Sequence, residues 1–272
     1  MTTFETPGHV ALQVTLSGGE VAVEATEQQT VEIELLALRD NDVTRKAIAE
    51  ARVEMTESGF GHEVVVHVGK SSGFLIGRGA KVGVRVRCPL GSDLGVRASS
   101  AGLEATGLLG VVDVKTASGD VLLEDVRSLE VDTASGDVRV RDVEGKMGFR
   151  TASGAATVSR CAGALTGNLV SGDLTVGEAA AGLSVTTVSG EVRVHAAGGG
   201  DIRVQSVSGD VLLAIKPGEQ LYVDAGSVSG AMSSELGLDD APAADSSTPV
   251  RQVSVRTVSG DLQIVRAAVV GA

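Results

Sequence analysis

Thr116-Ala117-Ser118-Gly119-Asp120-Val121-Leu122-Leu123 is followed by Thr133-Ala134-Ser135-Gly136-Asp137-Val138-Arg139-Val140, and the phrase keeps returning. Variants stand at Ser153-Gly154, Ser171-Gly172, Ser189-Gly190, Ser208-Gly209, Ser229-Gly230 and Ser259-Gly260. Counted from Ser118, the steps between these serines are 17, 18, 18, 18, 19, 21 and 30. A near-constant period of that length marks stacked supersecondary units, each of which needs its neighbours to bury its apolar side.

Aligning the repeats on the serine separates two faces. Six residues before it stand Val112, Leu129, Met147, Leu165, Leu183, Ile202, Val223 and Val253. Four before it stand Val114, Val131, Phe149, Gly167, Val185, Val204, Ala225 and Val255, and two before it mostly Thr or Ser. Steps of two are the side-chain period of a strand, so these columns face inward. The intervening columns are polar: Asp113 and Glu130 in one, Lys115, Asp132 and Arg150 in another. After the Ser-Gly pair the alternation resumes with Val121, Val138, Leu174 and Val192, then Leu123, Val140, Val176 and Val194. Each repeat therefore reads as two short strands joined by a Ser-Gly-Asp corner. A second corner carries Gly110, Gly145, Gly163 or Gly200, where positive backbone angles are expected. The predicted fold is all-β, a parallel β-solenoid with ~18-residue rungs whose strands stack at about 4.8 Å. A rung of that length fits a flattened two-sheet coil or a three-sided one, and a right-handed coil by the crossover rule.

Composition agrees with a narrow aliphatic core. Hydrophobic residues are 43% of the 272 and aromatic ones only 2%. The formal net charge of −12 disfavours nucleic acid and anionic membranes as partners. Cys88 and Cys161 are too few for a disulfide framework and read as small buried hydrophobes. The opening residues have neither a basic nor an apolar signal region, and no run approaches the ~18 apolar residues of a membrane span. On that basis a cytoplasmic location is expected.

Residues 1–95 lack the strict period and read as a β-rich capping region. Strands are expected at 9–16, 20–25, 31–38, 52–56, 62–68 and 81–88, with one short helix at 43–51 capped by Asn41 or Asp42. Leu16-Ser17-Gly18-Gly19 looks like a degenerate corner, and so does the stretch around Ser100. The solenoid is assigned to residues 96–266, with a mobile loop at about 233–249 and a tail at 267–272. In this reading Leu262–Val265 belongs to a terminal rung, with the short apolar tail to cover it.

The Thr-x-Ser-Gly-Asp-Val-x-Val phrase, the Phe4-Glu-Thr-Pro-Gly opening and the run Arg78-Gly-Ala-Lys-Val-Gly-Val resemble a bacterial β-strand-repeat "putative adhesin" family, a domain of unknown function. The resemblance covers essentially the whole chain. It implies a β-solenoid and brings no active site with it. The chain departs from the phrase at Ala155 and Ala231, where the acidic residue is missing.

Candidate chemistry is sparse. The corner acids Asp120, Asp137, Asp173, Glu191, Asp210 and Asp261 suggest a calcium ladder. One acid per corner falls short of the six to eight oxygens calcium takes, so acceptance of turn N–H groups, as in an Asx-turn, is expected instead. The inner Thr/Ser column is expected to bond nearby backbone. His9, His62, His67 and His195 show no metal-ligand spacing, and the glycine-rich stretch 73–83 matches no phosphate-binding fingerprint. No catalytic constellation, cofactor or metal site is read. The column just before the serine is different: Ala117, Ala134, Ala152, Val170, Val188, Val207, Val228 and Val258 are all apolar, yet strand parity points them outward. They form a candidate interaction ridge.

The expected function is a non-enzymatic scaffold or protein-interaction module, adhesin-like by resemblance, with a protein partner and scope for self-association. Two alternatives stand beside it. One is a self-assembling, cytoskeleton-like rod formed by pairing of end rungs. The other is a polymer-acting hydrolase, which needs carboxylates clustered on one face.

Overall fold

The computed structural model describes residues 1–59, 61–69, 79–217, 220–236 and 250–267. The chain divides into two compact units, Met1–Arg141 and Asp142–Ala272.

Unit 1 contains β1 (Thr2–Glu5), β2 (Val10–Thr26), β3 (Thr30–Ala37), α1 (Asp42–Ala49), β4 (Arg52–Ser58), β5 (Gly61–His67), β6 (Val82–Pro89), β7 (Asp93–Ser118) and β8 (Val121–Ser135), and its boundary falls inside β9 (Val138–Val143). β2, β7 and β8 stack in parallel, with Val21 opposite Leu103 and Leu103 opposite Val121. The degenerate corner of β2 stacks where the repeat predicts, Gly18 opposite Ser100. On its other edge β2 pairs in parallel with β5 and then β6. There the direction reverses. β3 runs antiparallel to β6, β4 antiparallel to β5, and β1 antiparallel to β3. Val31 and Ile33 of β3 are buried, so this cover is packed against the parallel strands. The helix cap is Asn41: its side-chain oxygen accepts the Thr44 N–H at 2.7 Å, while Asp42 sits in the first turn.

Unit 2 is the regular repeat. Its strands are β10 (Met147–Ser153), β11 (Ala156–Cys161), β12 (Leu165–Ser171), β13 (Leu174–Ala179), β14 (Leu183–Ser189), β15 (Val192–Ala197), β16 (Ile202–Ser208), β17 (Val211–Ile215), β18 (Leu221–Ser229), β19 (Met232–Ser234), β20 (Arg251–Ser259) and β21 (Leu262–Arg266). They form two parallel ladders, and equivalent columns stack on one another. Leu165 stands opposite Leu183, Leu183 opposite Ile202, and Ile202 opposite Val253. This is the parallel β-solenoid expected from the period, and the predicted inner columns are buried in every rung but one. Removing each such side chain from water contributes about 1.5–3 kcal/mol. A further inner column escaped the reading. Eight residues after the serine, Val126, Val143, Cys161, Ala179 and Ala197 are buried. In the second strand two consecutive residues, such as Ser159 and Arg160, face outward, which shifts the inward parity, and the burial of Cys161 follows from its place in this column.

The two glycine corners differ in kind. At the Ser-Gly corner Gly190 has φ of +134°, and a Cβ there would lie 2.1 Å from the Gly172 carbonyl oxygen of the rung below. The second-corner glycines Gly110, Gly163 and Gly200 do not have the positive φ expected of them. Glycine is required there by close approach instead: a Cβ on Gly163 would lie 2.3 Å from Gly145 backbone.

The expected terminal rung is not at the edge. β20 pairs with β16 on one side and β18 on the other, and β21 pairs with β17 and β19. The last rung in sequence is therefore inserted between the two before it, and among the described residues β18–β19 is outermost. The 30-residue step between Ser229 and Ser259 is long enough for the chain to return through that position. Of the expected loop at 233–249, Ser233 and Ser234 belong to β19, and residues 237–249 lie outside the described residues. Residues 268–272 of the tail also lie outside them, as do residues 73–78 of the glycine-rich stretch.

Candidate interaction surface

The column before the corner serine is exposed throughout. In unit 2 the ladder registers place Ala152, Val170, Val188, Val207, Val258 and Val228 side by side, in that spatial order. The five valines are between 47% and 82% exposed. The rung spacing of about 4.8 Å makes them a continuous apolar strip. In unit 1 Ala117 stands opposite Ala134, between the pairs Thr116–Thr133 and Ser118–Ser135, and both alanines are exposed. The position lies on the outer face because the residues one and three places before it, such as Thr187 and Val185, are turned into the core.

Beside this strip a depression of about 430 Å³ opens between Gln205, Asp224, Gly226, Val228, Arg256 and Val258. Gly226 leaves it open, since a Cβ there would meet nothing within 4 Å. The Arg256 guanidinium donates to Asp224 Oδ2 at 2.8 Å. That hydrogen bond, with the charge of Asp224, pushes the Arg256 pKa further up.

The corner acids tie rungs together. Asp120 Oδ1 accepts the N–H of Asp137 at 3.0 Å, and Asp173 Oδ1 accepts that of Glu191 at 2.8 Å. Asp210 accepts from Asp261, and Asp261 from Ala231, each at 2.8 Å. The acceptor role was expected, but the amide belongs to the next rung rather than to the acid's own turn. Among the described residues no three His, Cys, Asp or Glu side chains converge as a metal site would need.

The inner hydroxyls divide. Thr151 and Thr257 donate to the carbonyls of Ser153 and Ser259, at 3.1 and 3.3 Å. Thr116, Thr133, Thr187 and Ser206 hold buried hydroxyl oxygens with no protein partner. The expectation that every member of the column bonds backbone therefore fails for these.

The sequence reading missed a charged face in unit 1. A groove of about 500 Å³ lies over β3, β6, β2 and β7. Antiparallel pairing sets Glu32 opposite Arg87 and Glu34 opposite Arg85. Arg87 also meets Glu24 at 2.9 Å. The alternations Glu32-x-Glu34 and Arg85-x-Arg87 carry the signal, but it becomes legible only once the two strands are known to pair. His9 Nε2 lies 3.0 Å from Asp93 Oδ2, another pair the spacing did not reveal. Cys88 and Cys161 are buried free thiols, each with its pKa pushed up to about 11 chiefly by burial. Among the described residues no helix is long and apolar enough to cross a membrane.

The Toastrack DUF4097 family model matches residues 9–265, nearly the whole chain. The chain belongs to that family. This bears out the resemblance carried by the Thr-x-Ser-Gly-Asp-Val phrase. No curated protein matches the chain. Solved structures similar to this Toastrack chain include a "putative adhesin" from Parabacteroides distasonis ATCC 8503, 12% identical, covering 96% of this chain and 95% of that one, with a TM-score of 0.40. A "putative lipid binding protein" from the same strain is 12% identical over 97% and 96% of the two chains, with a TM-score of 0.43. A "putative adhesin" from Bacteroides fragilis NCTC 9343 is 11% identical over 96% and 95%, with a TM-score of 0.30.

Proposed function

We propose that this chain is a non-enzymatic scaffold that binds a protein partner along the outer valine ladder of unit 2. The observation that carries the proposal is the run of Val170, Val188, Val207 and Val258, each about half exposed and in register on adjacent strands. A soluble solenoid gains nothing in folding from apolar side chains on that face, and a contiguous exposed apolar strip is the signature of a docking surface. A partner with its own apolar strip fits best, because the ladder repeats at the spacing of strands. The polymer-hydrolase reading has less support. The carboxylates of the unit 1 groove that face Arg85 and Arg87 are engaged in ion pairs, an arrangement suited to holding strands in register.

The test compares the parent with Val188→Lys plus Val207→Lys. Both side chains are on the outer face, so the variant is expected to melt like the parent and to lose the partner recovered by affinity capture from the native host. Recovery of the same partner with unchanged affinity by the folded variant overturns the reading.

A further inference from the structure

We propose that the outermost strand β18 pairs antiparallel with β18 of a second copy, about a two-fold axis at Ala225. This goes beyond docking on the outer ladder, since it uses the edge of the sheet and a different occupant.

The starting point is the edge itself. Among the described residues β18 pairs only with β20. It is nine residues long, contains no proline or lysine, and carries a single charge, Asp224. Arg251 donates its N–H to the Gln220 carbonyl at 3.0 Å. In a parallel ladder the backbone groups alternate sides, so Tyr222, Asp224 and Gly226 bond towards β20. The N–H and C=O groups of Leu221, Val223, Ala225 and Ser227 then face away from it. That is a template for another strand.

The sequence of β18 selects a copy of itself and a register. With Ala225 opposite Ala225 of the partner, the hydrogen-bonded pairs are Ala225–Ala225 and Val223–Ser227; Ser229 lies beyond them, its carbonyl taken by the Gly260 N–H. The close, non-hydrogen-bonded pairs are Tyr222–Val228 and Asp224–Gly226. Tyr222 is 65% and Val228 82% exposed, and an aromatic residue against a β-branched one is a favourable cross-strand pair. Gly226 leaves open space for the Asp224–Arg256 ion pair of the other copy. Shifting the axis to Asp224 would set like charges directly opposite each other. Shifting it to Val223 would set Tyr222 against Asp224. The arrangement is isologous and closes at two copies, so it makes a dimer and no fibre.

Sedimentation of the full chain over a range of concentrations is the first measurement, with a reversible shift from monomer to twice the monomer mass expected. Ala225→Pro should abolish the shift while leaving β18 on β20, because the N–H it removes faces the free edge. Tyr222→Lys plus Val228→Lys, which touches no backbone group, should weaken dimerisation at least tenfold. The register is read by oxidation. Tyr222→Cys plus Val228→Cys should give a disulfide-linked dimer and Tyr222→Cys alone should not, the native thiols being buried. A parent that stays monomeric at every concentration overturns the proposal, as expected if residues 237–249 of the same chain cover β18 instead. A dimer that survives both edge variants, or cross-links equally through Tyr222→Cys alone, overturns it as well.

Discussion

The outer strands of unit 1 and the outer strand of unit 2 are built on opposite rules. In unit 1 the edge strands are β1, only four residues long, and β4, whose exposed positions include Arg52, Glu54 and Glu57. Short or charged edges resist pairing with another chain. In unit 2, β18 is more than twice the length of β1 and has one charge, and its inner residues Val223 and Ala225 are only half-buried. The same inner columns are closed in β14 and β16, where Leu183 and Ile202 are each 2% exposed. The difference teaches that the repeat builds the interior rungs, while the ends are governed by what each edge is allowed to meet.

The sharpest way to break that comparison is to place the same charge in both settings. Leu183→Asp should cost about 4 kcal/mol or more, because an unpaired carboxylate is buried between stacked rungs. Val223→Asp, in the same column of the outermost rung, should cost about 1 kcal/mol. Thermal melts of the two variants, read by circular dichroism, measure the contrast. Equal losses would show that β18 is as closed as β14.

Glycine substitutions give a smaller effect of the same form. Gly190→Ala meets both a positive φ and the Gly172 carbonyl, and should cost roughly 2–3 kcal/mol. Gly226→Ala meets open space, and should be neutral or stabilise by about 0.5 kcal/mol. Denaturant unfolding at matched protein concentration separates the two, and a costly Gly226→Ala would mean that the notch beside Val228 is filled.

The smallest expected effect reverses the usual ranking of closed over open. Thr187 lies in a closed rung with an unpartnered hydroxyl, so Thr187→Val should stabilise by about 1 kcal/mol. Ser227 lies in the outermost rung but donates to the Gly260 carbonyl at 3.2 Å, so Ser227→Ala should cost about 0.5 kcal/mol. The same unfolding curves check both. A loss with Thr187→Val would show that its hydroxyl has a partner.

Much of the candidate surface was legible from local pattern. The ridge from Ala117 to Val258 stood out because strand parity and residue type disagreed there. Val170, Val188 and Val207 are indeed exposed. The unit 1 groove was not legible, because Glu32 and Arg87 are 55 positions apart and meet only through the antiparallel turn of β3 against β6. The column of Cys161, Ala179 and Ala197 was not legible because two successive residues of the second strand face away from the core, which breaks the period of two.

The outermost rung was half legible. Its inner columns decay to Ala225, Met232 and Ser234, which is what an uncovered rung looks like, and a 30-residue step follows it. Taken alone, the chain determines the solenoid, its Ser-Gly corners and the buried columns that follow strict alternation, because these depend on side-chain parity and on what a Ser-Gly corner permits. Only the tertiary structure decides that β20 enters between β16 and β18. Every rung presents the same backbone edge at the same spacing, so the local pattern is satisfied by either order. The choice rests on long-range contacts: the Asp210–Asp261–Ala231 chain of corner bonds and the apolar columns that Val253, Val255 and Leu262 complete.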